Sequence, residues 1–104
     1  MTNEQFMLEV ETAYRRSCEL LKRKEKEYSA GKDRLDQFHR AGHAQSIPPT
    51  EALLGMATKH FTSIADMVKD PLKYTTKQWH SKLDDLRNYT FLLDALVTDL
   101  KEAE

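Results

Sequence analysis

Asp85 follows Lys82 by three residues and precedes Tyr89 by four, within a segment from Thr75 to Leu100 whose apolar residues recur at helical spacing. At about 100° per residue, Trp79, Leu83, Leu86, Thr90, Leu93, Val97 and Leu100 share one face; Lys82 and Tyr89 sit at its edge and Asp85 just beyond. A carboxylate on the border of an apolar face should be hydrogen-bonded, ion-paired or in chemical use, because burying it uncompensated costs several kcal/mol. The first helical segment offers a second such pair. Lys24 lies on the apolar stripe between Leu21 and Tyr28, where a lysine either snorkels or holds an anion, and Glu27 flanks it. If the first and last helices pack together, Glu27 and Asp85 meet at an edge of the bundle. That arrangement suits Mg2+, which takes oxygen ligands and bridges carboxylates to phosphate oxygens, with Asp33 and Asp36 as further ligands. The opposing reading, charged side chains on solvated helix faces, applies to each residue taken singly.

These groups need long helices to position them, and the chain supplies the signals. From Asn3 to about Ser29, the residues Phe6, Val10, Ala13, Tyr14, Ser17, Leu21, Lys24 and Tyr28 recur at helical spacing, and Ser29-Ala30-Gly31 ends the run. Asp33 to Gln45 reads as a shorter element anchored by Leu35 and Phe38, broken by Ser46-Ile47-Pro48-Pro49. Leu53, Leu54, Ala57, Phe61, Ile64 and Val68 mark a third helix, opened by Pro48-Pro49-Thr50 and stopped by Asp70-Pro71. Thr75-x-x-Gln78 is a capping box at the start of the fourth. Strand patterns are nearly absent. The expected fold is all-α: one domain over residues 1–104, three long helices and one short helix packed as a bundle. The fourth helix is apolar almost all round from Tyr89 to Val97, which one small domain cannot bury unaided, so a homo-oligomer is expected.

Composition narrows the partners. Lys and Arg number 16 against 17 Asp and Glu, so net charge gives no pull toward nucleic acid or an anionic membrane. The first helix interleaves its bases with Glu19, Glu25 and Glu27, which argues against a continuous nucleic-acid face. One cysteine, Cys18, excludes an internal disulfide and fits a reducing compartment. No stretch approaches the roughly 20 apolar residues of a membrane span and no basic-then-apolar leader opens the chain, so a cytoplasmic protein is expected. Three glycines and no Gly-x-Ser-x-Gly leave little room for a phosphate loop or a serine nucleophile. His60 lies on the apolar edge of the third helix with Lys59 pointing nearly opposite; a structural histidine is the plainer reading. His39 and His43 are a pair without a third ligand.

Lys24-Glu25-Lys26-Glu27-Tyr28, Asp33-Arg34-Leu35-Asp36-Gln37-Phe38, the run from Ala52 to Met67 around Lys59-His60, and Trp79-x-x-Lys82-x-x-Asp85-x-x-Asn88-Tyr89 together resemble small bacteriophage proteins described as MazG-like. The resemblance spans about Leu20 to Leu96. It extends to the all-α nucleoside triphosphate pyrophosphohydrolases, helical bundles that usually dimerise and hold Mg2+ against nucleotide phosphates with helix-borne acids. It implies that Glu27 and Asp85 are catalytic, metal-binding acids, that Lys24, Lys59 and Lys82 contact or orient phosphate, and that Tyr28, Asn88 and Tyr89 line the nucleotide pocket; His60 and Asp33 accompany them as ligand-binding and metal candidates. Two departures follow from the same alignment of motifs. The enzymes' Glu-x-x-Glu is here Lys24-x-x-Glu27, and their Glu-x-x-Asp is Lys82-x-x-Asp85, so two acids are replaced by lysines. Two readings therefore stand side by side: a Mg2+-dependent nucleoside triphosphate pyrophosphohydrolase, and a phage-encoded, non-catalytic anti-defence protein that sequesters a nucleotide signal in the host cytoplasm. A third is inhibition of a host protein through the Phe91 and Ala95 face.

Overall fold

The computed structural model describes residues 1–28 and 33–104, the last three residues of the first helix as backbone alone. Four α-helices occur in order: α1 (Asn3–Tyr28), α2 (Asp36–Gln45), α3 (Pro49–Met67) and α4 (Thr76–Glu102), with a single 3-10 turn at Pro71–Lys73. No strand occurs among the described residues. The stop expected at Ser29-Ala30-Gly31 lies outside them.

Local chemistry accounts for the helix ends. At α4 the Thr75 hydroxyl accepts from the Gln78 amide at 3.1 Å while the Gln78 side chain accepts from the Thr75 amide at 2.8 Å, satisfying two otherwise unpaired donors. Thr2 and Gln5 repeat the arrangement at α1, at 3.1 and 2.7 Å. Pro49 opens α3, where its missing N–H goes unneeded. Between α2 and α3, Ser46 takes a left-handed conformation (φ 56°, ψ 41°) and its amide reaches the carbonyls of Gly42 and His43. This tight reversal brings the Ile47 carbonyl onto Gly42, where a Cβ would lie only 2.7 Å from that oxygen. Trp79 clamps the 3-10 turn against α4 by donating its indole N–H to the Pro71 carbonyl at 2.9 Å.

The apolar core is built by three helices. Phe38 of α2, Leu53 of α3 and Leu96 of α4 are at most 1% exposed, with Leu35, Met56, Tyr89, Leu92 and Leu93 packed against them. Among the described residues α1 supplies nothing to this cluster. It packs on α4 instead, through Ser17, which is fully buried.

The face that α4 buries differs from the expected one. Val97, Leu100 and Thr90 are exposed, while Asp84, Asn88 and Leu96 are the buried positions. Asp84 is one residue, about 100°, around the helix from Leu83. The reason is that α4 lies between α1 and α3, so it buries two sides, and the side toward α1 is polar. On α1 the expected stripe is likewise covered only in its second half, since Phe6, Val10 and Tyr14 are all more than two-fifths exposed. No helix among the described residues is long and apolar enough to cross a membrane.

Candidate functional site

Two polar assemblies lie on adjacent sides of α4. The first is centred on Asp84, whose side chain is 5% exposed. It accepts from Arg16 Nε at 2.6 Å, Arg16 Nη2 at 3.0 Å, Arg87 Nη1 at 2.5 Å and Ser17 Oγ at 3.3 Å. Beside it Asn88 Nδ2 donates to the Ser17 carbonyl at 3.1 Å. Two guanidiniums on one buried carboxylate compensate its desolvation with charge-assisted bonds. This assembly fastens α1 to α4, and both carboxylate oxygens of Asp84 are hydrogen-bonded. One turn before Ser17, the Tyr14 phenol is held above its ordinary pKa, chiefly by its hydrogen bond with the Cys18 thiol.

The second assembly is centred on Asp85. Lys24 Nζ lies 3.4 Å from Asp85 Oδ1, and His60 Nδ1 of α3 lies 3.6 Å from Oδ2. The His60 and Tyr89 rings are tilted against one another with centroids 5.2 Å apart. Lys24, Asp85, Asn88 and Tyr89 line a cavity of about 120 Å³ together with Arg34 and Gln37, over an apolar wall of Leu21, Phe38 and Leu92. Arg34 is steadied there by donating from Nη2 to the Leu21 carbonyl at 3.0 Å. With Lys24 and Arg34 against Asp85, the lining carries one net positive charge. Asn88 adds a second feature, since its buried Oδ1 has no hydrogen-bond partner among the described residues. A buried acceptor left unmatched in a cavity wall favours a ligand that brings a donor.

The residues singled out in the sequence thus fall into separate groups. Lys24, His60, Asp85, Asn88 and Tyr89 gather at one place. Lys82 does not join them: it lines a different cavity of about 380 Å³, between the end of α3 and the start of α4, with Ser63, Asp66, Met67, Tyr74, Gln78 and Ser81. Lys59 is exposed on the outer side of α3. Asp33 is spent at the start of α2, where Oδ1 accepts from the Leu35 amide at 2.9 Å, and it borders a surface groove with Asp94, Asp99 and Glu102 rather than the Asp85 cavity. The side chains of Glu27 and Tyr28 lie outside the described residues.

Among the described residues this distribution does not assemble a Mg2+ site. Asp85 is the one carboxylate among the described residues lining the cavity, and a lysine and a histidine already face it. No group of three His, Cys, Asp or Glu side chains able to hold a metal occurs among the described residues. A hard cation needs several oxygens in place of such neighbours. Arg34 and Gln37 join the site without any signal in the sequence pattern. Arg34 sits just before a short helix, where periodicity assigns no face, and only the packing of that helix onto α3 turns it toward α1. Comparison of the chain with protein-family models, with curated proteins and with solved structures finds no match.

Proposed function

We propose that this protein binds a phosphorylated small molecule, of which a nucleotide is the natural example, in the cleft between α1, α2 and α4, and does so without a bridging metal. The observation that carries this reading is the convergence of Lys24 and Arg34 on one cavity. Lys24 supplies a compact point charge, and Arg34 a planar fork matched to phosphate oxygens. The cavity is smaller than the roughly 300 Å³ that a whole drug-sized ligand occupies. It therefore takes the phosphorylated end, and the rest of the ligand runs outward past the Tyr89 ring, a surface suited to a planar base. The resemblance to MazG-like proteins favours the same reading: an all-α nucleotide-binding bundle in which lysines replace acids, giving anion capture in place of metal-dependent hydrolysis. A phage anti-defence protein that sequesters a nucleotide signal would have this chemistry.

Titration calorimetry with the common nucleoside triphosphates, with and without Mg2+, tests the reading. Binding should be independent of Mg2+, weaken with salt as partly exposed ion pairs do, and fall by roughly tenfold or more in both Lys24→Ala and Arg34→Ala. Release of pyrophosphate on adding Mg2+ would move the protein to the hydrolase reading. Unchanged affinity in both variants would remove the cleft from consideration.

A further inference from the structure

On the other side of the α1–α4 junction from the Asp85 cavity, a corner opens between the second half of α1 and the first turns of α4. Arg16 and Arg23, seven residues apart, share one face of α1, and Thr76, Lys77, His80 and Ser81 share the facing side of α4. Together they line a cleft of about 520 Å³. Asp84 is its one carboxylate among the described residues, and both Asp84 oxygens are taken by Arg16, Arg87 and Ser17. The lining thus holds three permanent cations, Arg16, Arg23 and Lys77, against one carboxylate. That leaves two net positive charges in a chain whose overall charge is -1.

Arg16 is spent on the Asp84 clasp, so the charge that remains is that of Arg23 and Lys77. Both side chains are exposed, they come from different helices, and neither has an ion pair among the described residues. The start of α4 adds to the positive potential. Its first turn contains no acid, and the amides of Thr76 and Lys77 donate to nothing among the described residues, whereas the Gln78 amide is taken by Thr75. A lysine at the positive end of a helix dipole is unfavourably placed, and a bound anion reverses that sign.

The donors fit a phosphoryl group. A guanidinium fork, an ammonium and the hydroxyls of Thr76 and Ser81 outnumber what the two oxygens of a carboxylate comfortably accept, while a phosphoryl group brings three oxygens and up to two charges. The cleft volume falls within the roughly 300 to 1,000 Å³ of small-molecule sites. We infer that this corner is a second anion site, where Arg23 and Lys77 take the phosphoryl group of a small molecule and tie the second half of α1 to the start of α4. It shares no lining residue with the Asp85 cavity, so it is independent of what that cavity binds.

Amide and arginine side-chain NMR during titration with inorganic phosphate at constant ionic strength tests it, in a Lys24→Ala, Arg34→Ala background that disables the other cavity. The Thr76 and Lys77 amides and the Arg23 Nε–H should shift together and saturate with one millimolar constant. Adding Arg23→Gln and Lys77→Gln should weaken that binding by roughly tenfold or more and should not lower the melting temperature in phosphate-free buffer. Acetate should bind roughly tenfold more weakly than phosphate, and glucose 6-phosphate at least as tightly. No saturable shift by about 50 mM phosphate, affinity retained without Arg23 and Lys77, or acetate matching phosphate would each overturn the inference. Binding of the free ion but not of the sugar ester would overturn the assignment to a phosphorylated molecule.

Discussion

Asp84→Asn should detach α1 while leaving the rest of the bundle folded. Asp84 accepts four hydrogen bonds, three of them from guanidinium nitrogens of Arg16 and Arg87. An asparagine with its oxygen in the Oδ1 position turns an NH2 group toward Arg16 Nε, so at least one charge-assisted bond is lost and the negative charge facing both guanidiniums goes with it. Such bonds contribute about 1.5 to 3 kcal/mol each. Arg16 and Arg87 are 28 and 37% exposed in their side chains, so water recovers part of that loss. The net destabilisation comes to about 2 to 3 kcal/mol, a large share of the roughly 5 to 15 kcal/mol that holds a domain of this size. In a thermal melt followed by circular dichroism this is a fall of about 10 to 20 °C. Hydrogen exchange locates the effect. Because Phe38, Leu53 and Leu96 come from α2, α3 and α4, amides of α1 around Ser17 should lose protection first, while those around Leu53 keep most of theirs. A variant within about 0.5 kcal/mol of wild type, or one that loses protection evenly across all four helices, would refute the reasoning that α1 is held chiefly by this polar layer.

Other outcomes follow from single contacts. Asp85→Asn removes the carboxylate that faces Lys24 at 3.4 Å and raises the net charge of the cavity by one, so nucleotide affinity should rise several-fold in calorimetry; a hydrolase using Asp85 as a metal ligand would instead lose turnover. Gly42→Ala puts a methyl 2.7 Å from the Ile47 carbonyl, a backbone group that cannot swing aside, and should cost about 1 to 3 kcal/mol in urea unfolding. Gly55→Ala meets open space within α3 and should stabilise by about 0.5 to 1 kcal/mol; equal effects at the two glycines would contradict the packing of α2 on α3.

What the sequence makes legible here is largely local. Pro49 at the head of α3, Asp70-Pro71 beyond its end and the Thr75 and Gln78 cap each act within a few residues, and each helix boundary they mark lies within a residue or two of the observed one. The face each helix buries was less legible. Apolar periodicity on α4 favours Leu83, Leu86, Val97 and Leu100, but α4 has neighbours on two sides, and the one supplied by α1 is polar. Asp84 looks like a solvated aspartate until Arg16 and Ser17, some 67 residues away in sequence, are seen to close over it. Asp85 was singled out for lying at a stripe's border, and its proximity to Lys24 follows from α1 packing on α4. His60 reaches it because α3 packs on the other side, which no spacing within α3 encodes. Lys82 is three residues from Asp85 and lines a separate cavity because it sits one turn nearer the start of α4, beside Ser63, Asp66 and Met67 late in α3, while Asp85 lies beside His60.

The central claim is that Lys24 and Arg34 form one anion-accepting pocket, walled by Asn88 and Tyr89. A nucleoside triphosphate titration followed by amide and side-chain nitrogen NMR tests it most directly. The account predicts that the Asn88 side-chain amide, the Arg34 Nε–H and the backbone around Tyr89 shift together and saturate at one concentration. Shifts confined to Ser63, Gln78 and Lys82, or no saturable shift at millimolar ligand, would contradict it.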